Sequence, residues 1–120
     1  MKKRYKIYLA GPITGCNEDQ RSYWRRWVRK GWENDFDFID PTDPMRDPSD
    51  GYSAFDIVSA DEQAIAAADA VLASMWKESV GTSIGVVLAR RAGKPVVIVD
   101  RNHLNSNILG YWSDASDTSE

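Results

Sequence analysis

A carboxylate set on an apolar helical stripe is the feature of this sequence that most directly invites chemistry. Ile57, Asp61, Ala64, Ile65 and Ala68 share one face of a helix, and Asp61 is the one charged residue among them. An ionised carboxylate on such a stripe costs free energy unless it is paired or hydrogen-bonded. Two readings stand side by side: a residue at the stripe's edge near solvent, or a carboxylate aimed into a cleft to bond a ligand. The run Ser79-Val80-Gly81-Thr82-Ser83-Ile84-Gly85 is the second candidate. Backbone N–H groups at a helix start, flanked by Gly, Thr and Ser, suit an anion such as a phosphate. The commoner explanation is an ordinary helix cap by Ser79 or Thr82. Tyr8 lies in an apolar run just before Gly11-Pro12, where a tyrosine is usually core. Asn105 and Asn107 read as turn residues. Of five tryptophans, Trp24 and Trp27 read as core or interface. Trp76 and Trp112 fall where an indole could stack on a base. Cys16 and the single histidine, His103, have no spacing that argues for a nucleophile–base pair.

The elements that must position these residues alternate in type. Tyr5 to Ala10 reads as a strand closed by Gly11-Pro12, and Glu18 to Lys30 as a helix. On that helix Trp24, Trp27 and Val28 share one face, and the basic cluster Arg25 to Lys30 mostly forms a solvated opposite face. Phe36 to Asp40 is a short strand stopped by Pro41. Residues 41–51 hold three prolines and form a loop. Ser53 with Asp56 caps a second helix that runs to about Ala68. Ala70 to Met75 is a third strand. A third helix starts near Gly81-Thr82 and stops at Gly93. Pro95 to Val99, continuously apolar, reads as a strand buried on both faces. Strand–helix alternation with right-handed crossovers predicts an α/β fold: a Rossmann-like three-layer open sheet, mostly parallel, of four to five strands with flanking helices. Ligands of such sheets sit outside the carboxyl ends of the strands. That rule selects Gly11 to Gly15, Asp40 to Asp43, Trp76 to Ser83 and the segment after Asp100.

The totals narrow the classes. The chain of 120 residues, 42% of them hydrophobic, is expected to make one domain over residues 1–112, followed by an acidic, solvated tail over 113–120. A net charge of −3 argues against a nucleic-acid polymer as partner, because phosphate surfaces need clustered Lys and Arg. One cysteine excludes an internal disulfide and fits a reducing, cytoplasmic setting. One histidine and one cysteine make a structural zinc site a poor expectation, and no metal or cofactor is implied. No stretch approaches membrane-spanning length.

In order and spacing these pieces resemble the nucleoside 2-deoxyribosyltransferase family over nearly the whole chain. The residues that carry the resemblance are Ile7-Tyr8-Leu9-Ala10-Gly11-Pro12, Asp61 followed by Ala67 to Leu72, Gly81-Thr82-Ser83-Ile84, Arg91 to Val97, and Asn107-Ile108-Leu109 followed by Tyr111-Trp112. The resemblance implies exchange of the base on a 2′-deoxynucleoside through a Glu early in the third helix, which attacks C1′ of the sugar. It implies that Tyr8 orients that carboxylate, that Asp61 bonds the base or assists its proton transfer, and that Asn107 reaches a neighbouring subunit's site. Gly11, Pro12, Asp40, Trp76, Gly81, Thr82 and Ser83 are then the candidate substrate-binding residues. The family's Glu falls at the position after Ile84, where this chain has Gly85, which has no side chain to attack with. Glu78, the nearest upstream carboxylate, lies seven residues earlier, before the helix start. Three readings follow. The first is an enzyme acting on an N-glycosidic bond by transfer or hydrolysis, with a small-molecule nucleoside or nucleoside monophosphate as partner. The second is a nucleotide-binding protein without the chemistry, and the third a plain structural or interaction domain. A homo-oligomer, most simply a symmetric dimer, is expected.

Overall fold

A computed structural model describes residues 3–43 and 50–100, and the backbone of 115–117. The chain lays down β1 (Tyr5–Ala10), α1 (Glu18–Trp32), β2 (Phe36–Ile39), α2 (Ala54–Ala67), β3 (Ala70–Ser74), α3 (Val80–Arg91), β4 (Val96–Val99) and β5 (Ala115–Asp117). Local chemistry sets most of these bounds. Ser53 and Asp56 exchange hydrogen bonds as a capping box at the start of α2, as their spacing predicts. Asn17 and Gln20 do the same at α1, a box the sequence reading did not identify. The first turn of α1 carries Glu18 and Asp19 and its last turn Arg29 and Lys30, both favourable to the helix dipole. Ser79 accepts from the Thr82 N–H and caps α3, which therefore begins one residue ahead of the expected Gly81.

All five strands are parallel, in the order β2-β1-β3-β4-β5. Right-handed crossovers then place α1 on one face and α2 and α3 on the other. The chain leaves β1 for β2 on one side and returns to β3 on the other, so winding reverses between β1 and β3. A crevice opens at their carboxyl ends. The core lies under α2 and α3. Tyr8, Val71 and Val96 stand in one row across the sheet and Ala10, Ala73 and Ile98 in the next, packed with Ile65, Val86 and Ala89.

Three expectations change. The last apolar run is buried on one face only: Val96 and Ile98 are enclosed, but Val97 is 41% exposed. Of the two readings of Trp27, core is removed and interface stays open, because it is 69% exposed with Tyr23 at 66% on the same helix. Residues 115–117, inside the segment read as a solvated tail, extend the sheet by pairing with Val97 to Val99 of β4. Their polar composition hides this, because backbone ladder bonds do not need apolar side chains. No helix among the described residues is long and apolar enough to cross a membrane.

Candidate functional site

The crevice between β1 and β3 is a cleft of about 730 Å3, within the range of roughly 300–1,000 Å3 typical of small-ligand sites. Its first wall is the end of β1 and the turn after it, from Tyr8 to Cys16. Gly11 is there because Trp24 of α1 closes on the strand end: a Cβ on Gly11 would stand 2.5 Å from the indole ring. Gly15 turns the chain at φ +75°, a conformation that side-chain-bearing residues rarely adopt. The second wall is α2, which brings Ile57, Asp61 and Ile65 to the cleft, and the third is the β3–α3 loop with the first two turns of α3.

Asp61 and Tyr8, 53 residues apart in sequence, meet in this cleft, where the Tyr8 hydroxyl donates to Asp61 Oδ1 at 3.3 Å. Tyr8 is otherwise enclosed in the core at 5% exposure, so its phenol is fixed and only its oxygen end addresses the carboxylate. Asp61 is half-buried and lines the cleft. Gly85 is buried on α3 and also lines the cleft. A Cβ built on it would lie 3.7 Å from Ile65 Cδ1, an ordinary van der Waals contact.

The other expected ligand-edge residues divide. Gly11, Pro12, Gly81 and Thr82 line the cleft. The Thr82 hydroxyl and N–H are both turned to Ser79 Oγ, and Ser83 Oγ donates to the Ser79 carbonyl at 3.0 Å, so the hydroxyls of this run serve the helix start. Ser83 and Trp76 are not cleft-lining residues; the Trp76 ring lies beneath Lys77, whose Nζ is 5.5 Å from its centroid. Asp40 is absent from the cleft wall as well. It accepts from Arg29 at 2.9 Å and from the Thr42 N–H at 2.8 Å, beside a separate open depression between α1 and β2. At the end of β2 this carboxylate fastens a turn and a helix, and those partners use its oxygens. His103, Asn105, Asn107 and Trp112 lie outside the described residues.

The residue that the sequence reading misplaced is Arg25. It was assigned to the solvated face of α1 and is fully buried at 0% exposure, on the cleft floor. Its Nε donates to the Leu9 carbonyl and its Nη2 to the Gly11 carbonyl, both at 3.1 Å, and its Nη1 to the Arg21 carbonyl. Asp40 Oδ1 lies 3.8 Å away. Burial pushes the Arg25 pKa below its ordinary value, opposed first by the Asp40 charge and then by smaller contributions that include Tyr8 and Asp61. The signal for this was an arginine stripe: Arg21, Arg25 and Arg29 recur every four residues, and all three turn to partners on the strand ends or the turns after them. Arg21 donates to the Cys16 carbonyl at 3.1 Å, and it lines the cleft together with Lys77, which the sequence reading did not single out.

With this geometry in place, comparison with known proteins is direct. No curated protein sequence matches the chain. Among solved structures, a 2-deoxyribosyltransferase from Bacillus psychrosaccharolyticus superposes with a TM-score of 0.71 at 17% identity, over 92% of this chain and 84% of that one. A 2-deoxyribosyltransferase from Leishmania mexicana gives 0.64 at 24% identity, over 79% of this chain; the match spans 63% of the Leishmania protein's length. A CMP N-glycosidase from Clostridium botulinum gives 0.63 at 15% identity, over 95% and 89% of the two chains. At these identities the likeness is one of fold. The family model for nucleoside 2-deoxyribosyltransferase matches residues 7–117. That span takes in the β1 turn, Asp61, Gly85 and the strand beyond β4, and by it this chain belongs to the nucleoside 2-deoxyribosyltransferase family.

Proposed function

We propose that the cleft holds a nucleoside or nucleoside monophosphate and that the chain breaks its N-glycosidic bond, with Asp61 as the acting carboxylate. The observation that carries this reading is the Tyr8 hydroxyl held on Asp61 in a cleft of nucleoside size. The transferases and the CMP N-glycosidase of similar fold support the choice of bond. Gly85 has no side chain to attack C1′, so the reading with fewest requirements is a single displacement. Asp61 takes a proton from an incoming water as the new O–C1′ bond forms. The C1′–N bond breaks, its electron pair leaves with the base, and the base takes up a proton. An oxocarbenium-like transition state tolerates this route without a covalent partner. Tyr8, by donating to Asp61 Oδ1, orients the carboxylate that accepts the proton.

Chromatography of the protein incubated with a panel of deoxynucleosides and their monophosphates tests this. Release of free base is expected, and a swapped nucleoside would mark transfer instead. In Asp61→Asn the rate is expected to fall by about 100-fold or more, the scale of a positioned general base, with binding retained in a calorimetric titration. Gly85 favours one second reading, a nucleotide-binding protein without turnover. Saturable binding with no product from any panel member would establish that reading and remove the first.

The assembly is proposed to be a homodimer. Tyr23 and Trp27 stand exposed at 66% and 69% on the aromatic-rich α1, where a second copy of the chain would cover them. Light scattering is expected to return twice the 13.5 kDa chain mass; a monomer mass at high concentration would reject the dimer.

A further inference from the structure

Two cationic side chains reach one turn of the cleft from different elements. Arg21, in the first turns of α1, sits on the Cys16 carbonyl at 3.1 Å. Lys77, in the β3–α3 loop, brings Nζ to 3.9 Å from the point where a side chain on Gly15 would begin. Both line the cleft and both are half-buried. Among the described residues neither makes an ion pair, whereas Arg4, Arg25 and Arg29 each have an aspartate within 4 Å. Glu78 also lines the cleft but is exposed and does not pair with Lys77. Like charges converging on one turn repel, and partial burial raises the cost. In a protein of net charge −3, leaving these two without a carboxylate, with Lys77 resting on the Trp76 ring, is a placement that an anion would relieve. Gly15 bears no side chain where Lys77 Nζ approaches, and Asp61 stands on a different wall of the same cleft.

We infer that Arg21 and Lys77 form a phosphate subsite that selects a nucleoside 5′-monophosphate over the free nucleoside. The inference rests on the cleft being a nucleoside site. A phosphomonoester carries about −1.5 to −2 charge at neutral pH and offers three acceptor oxygens to an ammonium and a guanidinium. Its position on the sugar carbon away from C1′ lets the phosphate rest on the cations while the glycosidic bond faces Asp61.

The test is calorimetric titration of the full chain with a deoxynucleoside, its 5′-monophosphate and inorganic phosphate. The monophosphate is expected to bind at least about tenfold tighter than the nucleoside, the scale of one charge-assisted contact. Lys77→Gln, a loop substitution outside the core, is expected to remove most of that advantage and leave nucleoside affinity unchanged. Arg21→Lys, which keeps the charge but loses the fork, is expected to act in the same direction and less strongly. Inorganic phosphate is expected to compete with the monophosphate and not with the nucleoside. Equal affinity for nucleoside and monophosphate would overturn the subsite alone, as would a Lys77→Gln variant that weakens both alike. A chain that binds neither would overturn the subsite together with the nucleoside reading of the cleft.

Discussion

Gly85→Glu is expected to form a covalent sugar adduct with a deoxynucleoside and to raise base exchange at least about a hundredfold over the parent, the scale on which a single positioned group acts. The new side chain would begin 3.7 Å from Ile65 Cδ1, so its first carbon meets no clash. Helical side chains lean toward the helix N-terminus, which here is the cleft end of α3. The N–H groups and dipole of that end favour an ionised carboxylate. The step is a displacement in which a carboxylate O–C1′ bond forms and the C1′–N bond breaks. The base departs with the electron pair and takes a proton, and a second base then attacks C1′. Stability is expected to change little. Glutamate gains roughly 0.5–1 kcal/mol over glycine in a helix interior, and placing a second carboxylate near Asp61 opposes that gain. Intact-mass spectrometry reads the adduct and thermal melting reads the fold. A folded variant with neither adduct nor exchange would show that Tyr8 and Asp61 are not arranged around this position as the family mechanism requires.

Arg25→Met is expected to be the most destabilising single change in the cleft floor, by about 3–5 kcal/mol, the usual cost of removing one partner of a buried charge network. For a domain of this size that lowers the midpoint of thermal unfolding by roughly 10 °C or more. The loss has two parts. The buried Leu9 and Gly11 carbonyls and the partly buried Arg21 carbonyl each lose a donor. Asp40 loses one of its two cations and keeps Arg29. Arg25→Lys keeps the charge but cannot fork to three carbonyls, and is expected to fall between parent and Met variant. Chemical denaturation of the three proteins measures this. A shift below about 1 kcal/mol for Arg25→Met, well under the cost of a broken buried pair, would mean that water reaches those carbonyls and that α1 is not anchored through this guanidinium.

The two outcomes bear on different levels of the molecule. Arg25 tests what holds the β1 turn in place, since it ties α1 to the end of β1 and, through Asp40, to the end of β2. Gly85 tests what the assembled cleft can do once a nucleophile is supplied.

What was legible in the residues was local or periodic. Strand–helix alternation predicts the parallel three-layer sheet, because each element's period and punctuation are written within a dozen residues. The Ser53–Asp56 box and the helix stop before Gly93 are of the same kind. Asp61 could be picked out because one charge on an apolar stripe is conspicuous. The Gly85 position stood out only through the family resemblance, which places the family's Glu after Ile84. The tertiary structure alone decided which of these residues meet. Periodicity gives a helix face but not what lies across from it, so Arg25 could not be known to face two carbonyls 14 and 16 residues away. For the same reason Asp40, chosen by its place at a strand end, turned out to fasten Arg29 and Thr42 while other strand ends line the cleft. Tyr8 and Asp61, distant along the chain, were brought within hydrogen-bond reach by the reversal of winding between β1 and β3. That same reversal set Lys77 over the Gly15 turn, a neighbourhood that no period in either segment encodes.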